Sequence, residues 1–349
     1  MKPIAILASG MVTGVGLDSA SSCAAIRCAI DNFSETRFMD KGGEWIIGSQ
    51  VPLEQPWRGL TKLVHMVAPA IKECLAHIGN VRPDQIPLLL CVAEKERPGR
   101  LEGLDDQLLQ DVQTELGIRF HPRSGVVAKD RVGGAIALGA ARHLIYEEHI
   151  PLCLIAGVDS LLVAGTLAAY EEKDRLLTSQ NSNGFIPGEA GAAVLVGLPS
   201  TLSSQRSAGQ LLCLGFGTGL EKATIDSEEP LRGDGLVQAI KGALAEAGCT
   251  MSAMDFRITD ISGGQYGFKE ATLALNRALT EYKKENIDIW HPADCIGEVG
   301  VASGVAMWAV CLDATKKAYA PGHNILYHLS NEDQSRAAIV LSYRPGRGD

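Results

Sequence analysis

Cysteine and histidine, the side chains best suited to covalent or acid–base chemistry, are scattered along this sequence. The nine cysteines stand singly, without a CxxC pair and without the Cys/His clustering that binds zinc. Their odd number and wide spacing favour reduced, mostly buried thiols. None of the eight histidines lies beside a cysteine or serine with an acid to orient it, so we expect surface or structural roles for them. The sequence predicts no metal centre and no cofactor.

Short apolar segments of strand length alternate with longer segments of helical periodicity. A strand at Ile4 to Leu7 precedes a helix over Ser19 to Ile30, and a strand at Pro87 to Val92 precedes a helix over Leu104 to Leu116. A helix rich in small residues follows from about Gly133. This alternation indicates an α/β fold whose strands are buried on both faces.

The second half of the chain repeats the order of elements in the first half. A small-residue helix begins near Gly304, as one begins near Gly133, and each half closes on almost the same strand text, Ala192 to Val196 (AAVLV) and Ala337 to Leu341 (AAIVL). Such self-similarity is the mark of an internal duplication.

The duplication divides the chain into an N-terminal half, residues 1–199, and a C-terminal half, residues 209–349. The polar stretch from Pro199 to Gly209, rich in serine and glutamine, is the predicted connection between them. We expect two intimately packed halves rather than two domains on a free linker.

Composition excludes several classes of function. The chain has 349 residues, 46% hydrophobic and 21% charged, with a net charge of −9. Because the lysines and arginines are dispersed, we expect no nucleic-acid partner. No apolar stretch approaches the ~20 residues of a membrane span, and the N-terminus lacks the pattern of a signal peptide. These features predict a cytoplasmic globular protein with no membrane association.

Four segments resemble signatures of the β-ketoacyl-acyl-carrier-protein synthases of the thiolase superfamily. They are the glycine turn Gly10 to Gly16, the strand and central helix Val126 to Arg142, the GFIPGEAGAA hairpin Asn183 to Ala193, and the turn Gly297 to Gly304. The third is the most specific. The resemblance implies an α/β, thiolase-like fold, a duplicated αβαβα structure in five layers.

The resemblance also implies where the catalytic groups of that family would fall. Its nucleophilic cysteine falls on Arg131, its two histidines on Gly264 and Glu298, and its supporting lysine on Ala293. Arginine cannot serve as a nucleophile and does not lose its proton at working pH. Ordinary Claisen condensation is therefore excluded on chemical grounds.

Three functions stay open. The first is a catalytically degenerate binding or accessory protein, similar to chain-length-factor subunits. Its implied partners are a second copy, a related synthase, an acyl-carrier protein or a secretion-associated protein. The second is an acyltransferase or other acyl-thioester enzyme with replaced chemistry, whose pocket would be lined by Lys129, Asp130 and Gln265 beside Arg131 and Glu298. The third is an acyltransferase whose nucleophile is Cys153 or Cys295.

The resemblance leads to three structural expectations. The strand matching Leu152 to Ala156 should lie at the sheet edge and pair across a dimer axis. The acyl tunnel should be narrowed or closed near its base by Arg131 and by the polar segment Asn331 to Ser335, which stands in the place of the family's glycine-rich gatekeeper, so that long acyl chains do not enter. Arg131, a cation at a helix N-terminus, needs an anion. We therefore expect an ion pair with Glu298, with Asp130 nearby.

Overall fold

The computed structural model describes residues 2–199, 209–281, 283 and 286–346. Strands and helices alternate along most of this chain, which confirms the predicted α/β class. The strands are β1 Ile4–Val12, β2 Phe33–Met39, β3 Trp45–Ser49, β4 Leu88–Val92, β5 Gly125–Ala128, β6 Leu152–Ser160, β7 Glu189–Gly197, β8 Gln210–Leu220, β9 Phe256–Thr259, β10 Asp288–Trp290, β11 Asn324–Ser330 and β12 Ser335–Arg344. The helices are α1 Ser19–Arg27, α2 Gly59–Leu75, α3 Gln107–Leu116, α4 Gly133–Tyr146, α5 Ala164–Glu172, α6 Asp234–Ala247, α7 Gln265–Ala278, α8 Ala293–Ile296 and α9 Ala302–Lys316.

The order of strands in the main sheet repeats between the two halves of the chain. Within the described residues a ten-stranded sheet runs β10-β9-β11-β12-β8-β1-β7-β6-β4-β5, and β2 and β3 form a separate hairpin. Read outward from the antiparallel β1–β8 contact, the two sides match: two antiparallel pairings are followed by two parallel ones on each side. The halves proposed as residues 1–199 and 209–349 thus have equivalent topologies. Most of the predicted connection, residues 200–208, lies outside the described residues.

The helices lie in layers around the two halves of the sheet. Helix α2 packs on β1 and β7, and its counterpart α6 packs on β8 and β12. Helices α4 and α9 contact each other and strands of both halves, so they form the layer between the halves. Their first turns meet in the middle of the molecule, where the site described below is found.

Glycines bring the outer helices unusually close to the sheet. A Cβ added to Gly191 in β7 would lie 2.4 Å from the Met66 carbonyl oxygen of α2. In β8, one added to Gly217 would lie 2.1 Å from the Ala239 carbonyl oxygen of α6. Real side chains cannot occupy such positions, so these strand glycines set the distance between helix and sheet. The small residues of the GEAGAA hairpin therefore allow close packing both of helix α2 and of the neighbouring strand.

The prediction that the strand containing Leu152 to Ala156 lies at the edge of the sheet is wrong. Strand β6, which contains Leu152 to Ala156, is hydrogen-bonded to β7 on one side and to β4 on the other. The edge of this half is β5, whose four residues are all half-buried. An apolar run indicates that a strand is buried, but it does not reveal which neighbours the strand has. No helix in the described part of the chain is long and apolar enough to cross a membrane.

Candidate functional site

The turn between β5 and α4 holds a residue in a strained backbone conformation. Asp130, in a short helical turn over Asp130–Val132, has φ +45°, in the left-handed region that side chains other than glycine rarely adopt. A sharp strand-to-helix turn with a strained residue is how many enzymes present a nucleophile. Here the strained residue is one position before Arg131, to which the resemblance assigned the cysteine's place.

The equivalent turn before α9 is built around Glu298. Its backbone N–H donates to the Ile186 carbonyl oxygen and its own carbonyl oxygen accepts from the Gly188 N–H, both at 2.8 Å. These bonds tie the turn to the GFIPGEAGAA hairpin. The Glu298 carboxylate accepts hydrogen bonds from the Gly300 N–H, at 2.9 Å, and from the Ser262 hydroxyl. The side chain is fully buried and held on two sides.

Arg131 and Glu298 form a direct ion pair. Arg131 Nη2 lies 3.2 Å from Glu298 Oε2, so the predicted pair is confirmed. The same nitrogen lies 3.5 Å from Glu332 Oε1, in the hairpin between β11 and β12. The arginine side chain is 14% exposed. Since Arg131 belongs to the first half and both carboxylates to the second, the cluster joins the halves at their centre.

Asp130, which was expected near this pair, forms its own ion pair with Arg97. Its carboxylate lies 3.6 Å from Arg97 Nη1, and Arg97 also pairs with Asp159 at 2.5 Å. Asp159 accepts from the Val301 N–H at 3.1 Å, so this second ionic cluster reaches the N-terminus of α9. Its tight packing needs Gly300, because a Cβ there would lie 2.2 Å from Asp159 Oδ2.

The carboxyl groups of this region are hard to ionise. Burial raises the pKa of Glu298 to about 7, although Arg131 and the Ser262 hydroxyl act in the opposite direction. Burial raises the pKa of Asp260 to about 6, again opposed by Arg131. The pKa of Glu94 rises to about 7 through burial and the nearby Asp130. Burial acts to lower the pKa of Arg131, but the neighbouring carboxylates outweigh it and hold this pKa above its ordinary value, so the guanidinium remains charged.

The segment in the gatekeeper position, Asn331 to Ser335, is fixed by a buried arginine. Arg336 Nη1 donates to the carbonyl oxygens of Asn331, Asp333 and Ser335 at 2.8–3.0 Å. Its Nε pairs with Glu270 at 2.7 Å, and both side chains are almost fully buried. The polar hairpin is therefore held against α7.

A cleft of about 490 Å³ opens above Arg131. Gly264 and Gln265 line it, and the Gln265 N–H donates to Asn183 Oδ1 at 2.8 Å, which links α7 to the first half. The lining also includes Asp226, Asp260, Glu332, Lys173 and Arg175. Open space therefore reaches Arg131, and its walls combine charged and polar side chains with the apolar Phe185, Ile225 and Ile261. That long acyl chains do not enter stays a prediction.

Four residues named from the sequence do not line this cleft, and one of them is Glu298, whose side chain is fully buried. The Lys129 side chain is exposed, and the chain is held there by its backbone, whose carbonyl oxygen accepts from Asn331 Nδ2 at 3.5 Å. Asp130 is buried against Arg97. Ala293 opens the short helix α8, and its carbonyl oxygen accepts from the Gly297 N–H at 2.8 Å.

The two cysteines considered as nucleophiles lie in surroundings that keep them protonated. Cys153 is fully buried in β6, and burial raises its pKa far above its usual value. Burial raises the pKa of Cys295 to about 11. Buried His328 has its pKa lowered to about 3, first by burial and then by Arg257, so it is neutral. Among the described residues no group of three potential ligands is placed to hold a metal ion.

Sequence inspection missed Arg97, Asp260 and Arg336 as members of the site. Arg336 carried a usable signal, since it is a charged residue directly before the apolar run of β12, and buried charges need partners. Arg97 lies in a loop among other charged residues, where nothing distinguishes it from a solvated side chain.

Solved structures with this architecture decide the fold. A chain of the ketosynthase–chain length factor complex from Xenorhabdus doucetiae matches with a TM-score of 0.76 and 13% identity, covering 98% of both chains. The chain has the thiolase-like fold of the ketosynthases. A chain from a type II polyketide synthase acyl-carrier protein in complex with its hexaketide-bound ketosynthase matches this fold at a TM-score of 0.80 and 14% identity, covering 98% of this chain and 99% of that one. A β-ketoacyl synthase from Burkholderia phymatum matches at 0.73 and 13%, with the same coverage.

Sequence comparison points to the same group of proteins. A putative polyketide β-ketoacyl synthase of Streptomyces cyaneus is 24% identical over 242 residues, which is 64% of this chain. The match spans 57% of the length of that protein. No family model matches the chain.

Proposed function

We propose that this ketosynthase-fold chain is a non-condensing protein that acts by binding, as an accessory subunit. The observation that supports this most directly is the ion pair of Arg131 with Glu298, 3.2 Å apart at the meeting point of the two halves. Condensation needs a thiolate at the start of the central helix and donors that stabilise a developing oxyanion. This site offers instead a cation whose charge is already balanced by two carboxylates.

We also infer that Asp130, rather than Arg131, holds the place of the nucleophile. The support is its left-handed backbone at the turn between β5 and α4. Asp130→Gly and Asp130→Ala both remove the carboxylate, so the difference between them reports on the backbone alone. We expect the glycine variant to be more stable by about 1 kcal/mol, since alanine is strained there. Equal unfolding free energies would contradict the assignment.

The inferred partner is a second copy or a related synthase, which would pair along β5. This strand ends the sheet, is half-buried in the single chain, and leaves one side without a described neighbour. The solved relatives that form a ketosynthase–chain length factor complex and an acyl-carrier-protein complex make these two partner classes the first to test. A secretion-associated protein is the third. We retain a cytoplasmic location, since all nine cysteines are free thiols.

Light scattering at micromolar concentration tests the homodimer. We expect a dimer for the native chain and a monomer for Val126→Lys, because a charge on an edge strand opposes pairing. If the native chain is a monodisperse monomer, mixing it with a related synthase tests the heterodimer. A chain that stays monomeric in both cases contradicts the proposed assembly.

Incubation with acyl and malonyl thioesters, beside an active ketosynthase as positive control, tests the absence of condensation. We expect no covalent acylation, no decarboxylation and no condensation product. Acylated protein detected by intact mass would overturn the binding proposal.

One observation favours the second candidate, an acyl-thioester enzyme with replaced chemistry. Burial brings the pKa of Glu298 to about 7, which suits a general acid or base. Glu298 does not line the cleft itself, so it would act through the Ser262 hydroxyl, which lines the cleft and donates to its carboxylate. In that case thioester turnover would be lost in Glu298→Gln and kept in Glu332→Gln. Turnover that is absent from the native chain, or equal in both variants, eliminates this candidate.

A further inference from the structure

A second cleft lies away from the ionic site, between the end of α1 and the segment running from β10 into α8. Its volume is about 550 Å³, somewhat larger than that of the cleft above Arg131. Cavities of this size are typical of small-molecule sites. The two clefts share no lining residue.

The body of this second cleft is apolar and aromatic. Aliphatic walls come from Ile26, Ile289 and Val310. The rings of Trp290 and Tyr319 lie nearly parallel, at 19°, with centroids 6.4 Å apart. Phe256 packs against Trp290, with ring centroids 4.5 Å apart. Fixed aromatic walls bind an apolar ligand at little cost in side-chain entropy.

One cation at the cleft lacks a counterion. Arg27, in the last turn of α1, lies over the Tyr319 ring at 4.4 Å and has no carboxylate within ion-pair distance among the described residues. The buried arginines of the other site, Arg97, Arg131 and Arg336, each have at least one such partner. Asp294 is the carboxylate of the cleft lining; its Oδ2 lies 2.9 Å from His291 Nδ1, a contact that is an ion pair only when the imidazole is protonated. The cleft thus offers a free guanidinium beside an apolar cavity.

We propose that this cleft binds a small amphipathic anion, with its aromatic or aliphatic body against Trp290 and Tyr319 and its carboxylate or sulfonate on Arg27. Cys295 lies in the wall but contributes only apolar surface, because its thiol stays protonated at neutral pH. The site is therefore one of binding and not of covalent chemistry. The inference is independent of the function proposed above, since it uses none of the residues of the ionic site.

Anilinonaphthalene sulfonate, an aromatic anion that fluoresces in apolar surroundings, tests the proposal on the full chain. We expect saturable binding with one site and a dissociation constant that rises about tenfold in Arg27→Glu, since a charged hydrogen bond is lost. Arg37→Glu is the matched control: Arg37 is also exposed and also lies over an aromatic ring, that of Phe38, at 5.1 Å. It should leave binding unchanged.

Two further ligands separate the contribution of the negative charge to binding from that of the apolar body. N-phenylnaphthylamine, which lacks the sulfonate, should bind about tenfold more weakly and be insensitive to Arg27→Glu. Dodecanoate should displace the sulfonate probe. Equal affinities for the two dyes, equal effects of the Arg27 and Arg37 variants, or no saturable binding would each overturn the proposal.

Discussion

The first turns of α4 and α9 occupy equivalent places in the two halves, yet they carry opposite charge. At α9 the backbone N–H groups of Gly300 and Val301 donate to the carboxylates of Glu298 and Asp159, and anions at a helix N-terminus are favourable. At α4 the corresponding charge is Arg131, which the helix dipole opposes. The cation of one half is neutralised by the anion of the other. Arg131 is unfavourable at the N-terminus of α4, but it is tolerated because the packing of the two halves places Glu298 beside it.

Breaking one side of this pair should have the largest effect. Arg131→Met and Glu298→Leu should each cost about 3–5 kcal/mol of unfolding free energy, because each leaves a buried charge without its main partner. The double variant should recover much of the loss. Thermal and denaturant unfolding of the three variants measures this. If the double variant is no more stable than either single variant, Arg131 and Glu298 are not energetically coupled.

Gly300→Ala should come next, at about 1–3 kcal/mol, since φ is +53° at this position and a Cβ would meet Asp159 Oδ2. Gly264→Ala is the matched control: φ is −70° there and an added Cβ meets nothing within 4 Å. We expect it to be nearly neutral in the same unfolding experiment. If the two variants are equally stable, the tight contact between Gly300 and Asp159 does not matter.

The pH dependence of stability sharpens the comparison. Burial raises the folded-state pKa of Glu298 to about 7 from an ordinary value of 4.5. Between these two values the folded state binds more protons than the unfolded state, so the unfolding free energy should fall as pH rises from about 5 to 7. Glu298→Gln should reduce this slope, leaving the contributions of Glu94, whose pKa burial also raises to about 7, and of Asp260. An unchanged slope would mean that Glu298 is not the titrating group.

The smallest effect is expected for Glu332→Gln, below about 1 kcal/mol. Glu332 is 31% exposed and more distant from Arg131 than Glu298 is, so water screens the interaction. The effect should shrink further in high salt. A loss as large as that of Glu298→Leu would show that Glu332 is the main anion of the cluster.

Much of the fold could be predicted because the signals are local. The repeated strand text at β7 and β12 and the small-residue helices α4 and α9 stand in the sequence as contiguous patterns. Helix α2 and the hairpin of β2 and β3 were not identified. The helix has apolar residues at helical spacing, but Pro69 in its interior argues against a helix when only the sequence is known. The hairpin alternates exposed charges with few buried positions and has no clear strand pattern. The order of strands could not be derived, because pairing is decided by contacts between distant segments.

The sequence by itself excluded Arg131 as a nucleophile, since a guanidinium stays protonated, and its matched motifs placed Arg131 and Glu298 as opposite charges at two turns. Only the tertiary structure decided that Asp130 pairs with Arg97, that Glu332 joins the Arg131–Glu298 pair, and that a cleft with charged side chains in its walls opens above Arg131. The physical reason is that some properties are local to a residue and others depend on segments far away in the sequence. The charge of a residue is a local property, whereas its partner, its burial and the resulting pKa depend on which distant segments the packing of the two halves brings together.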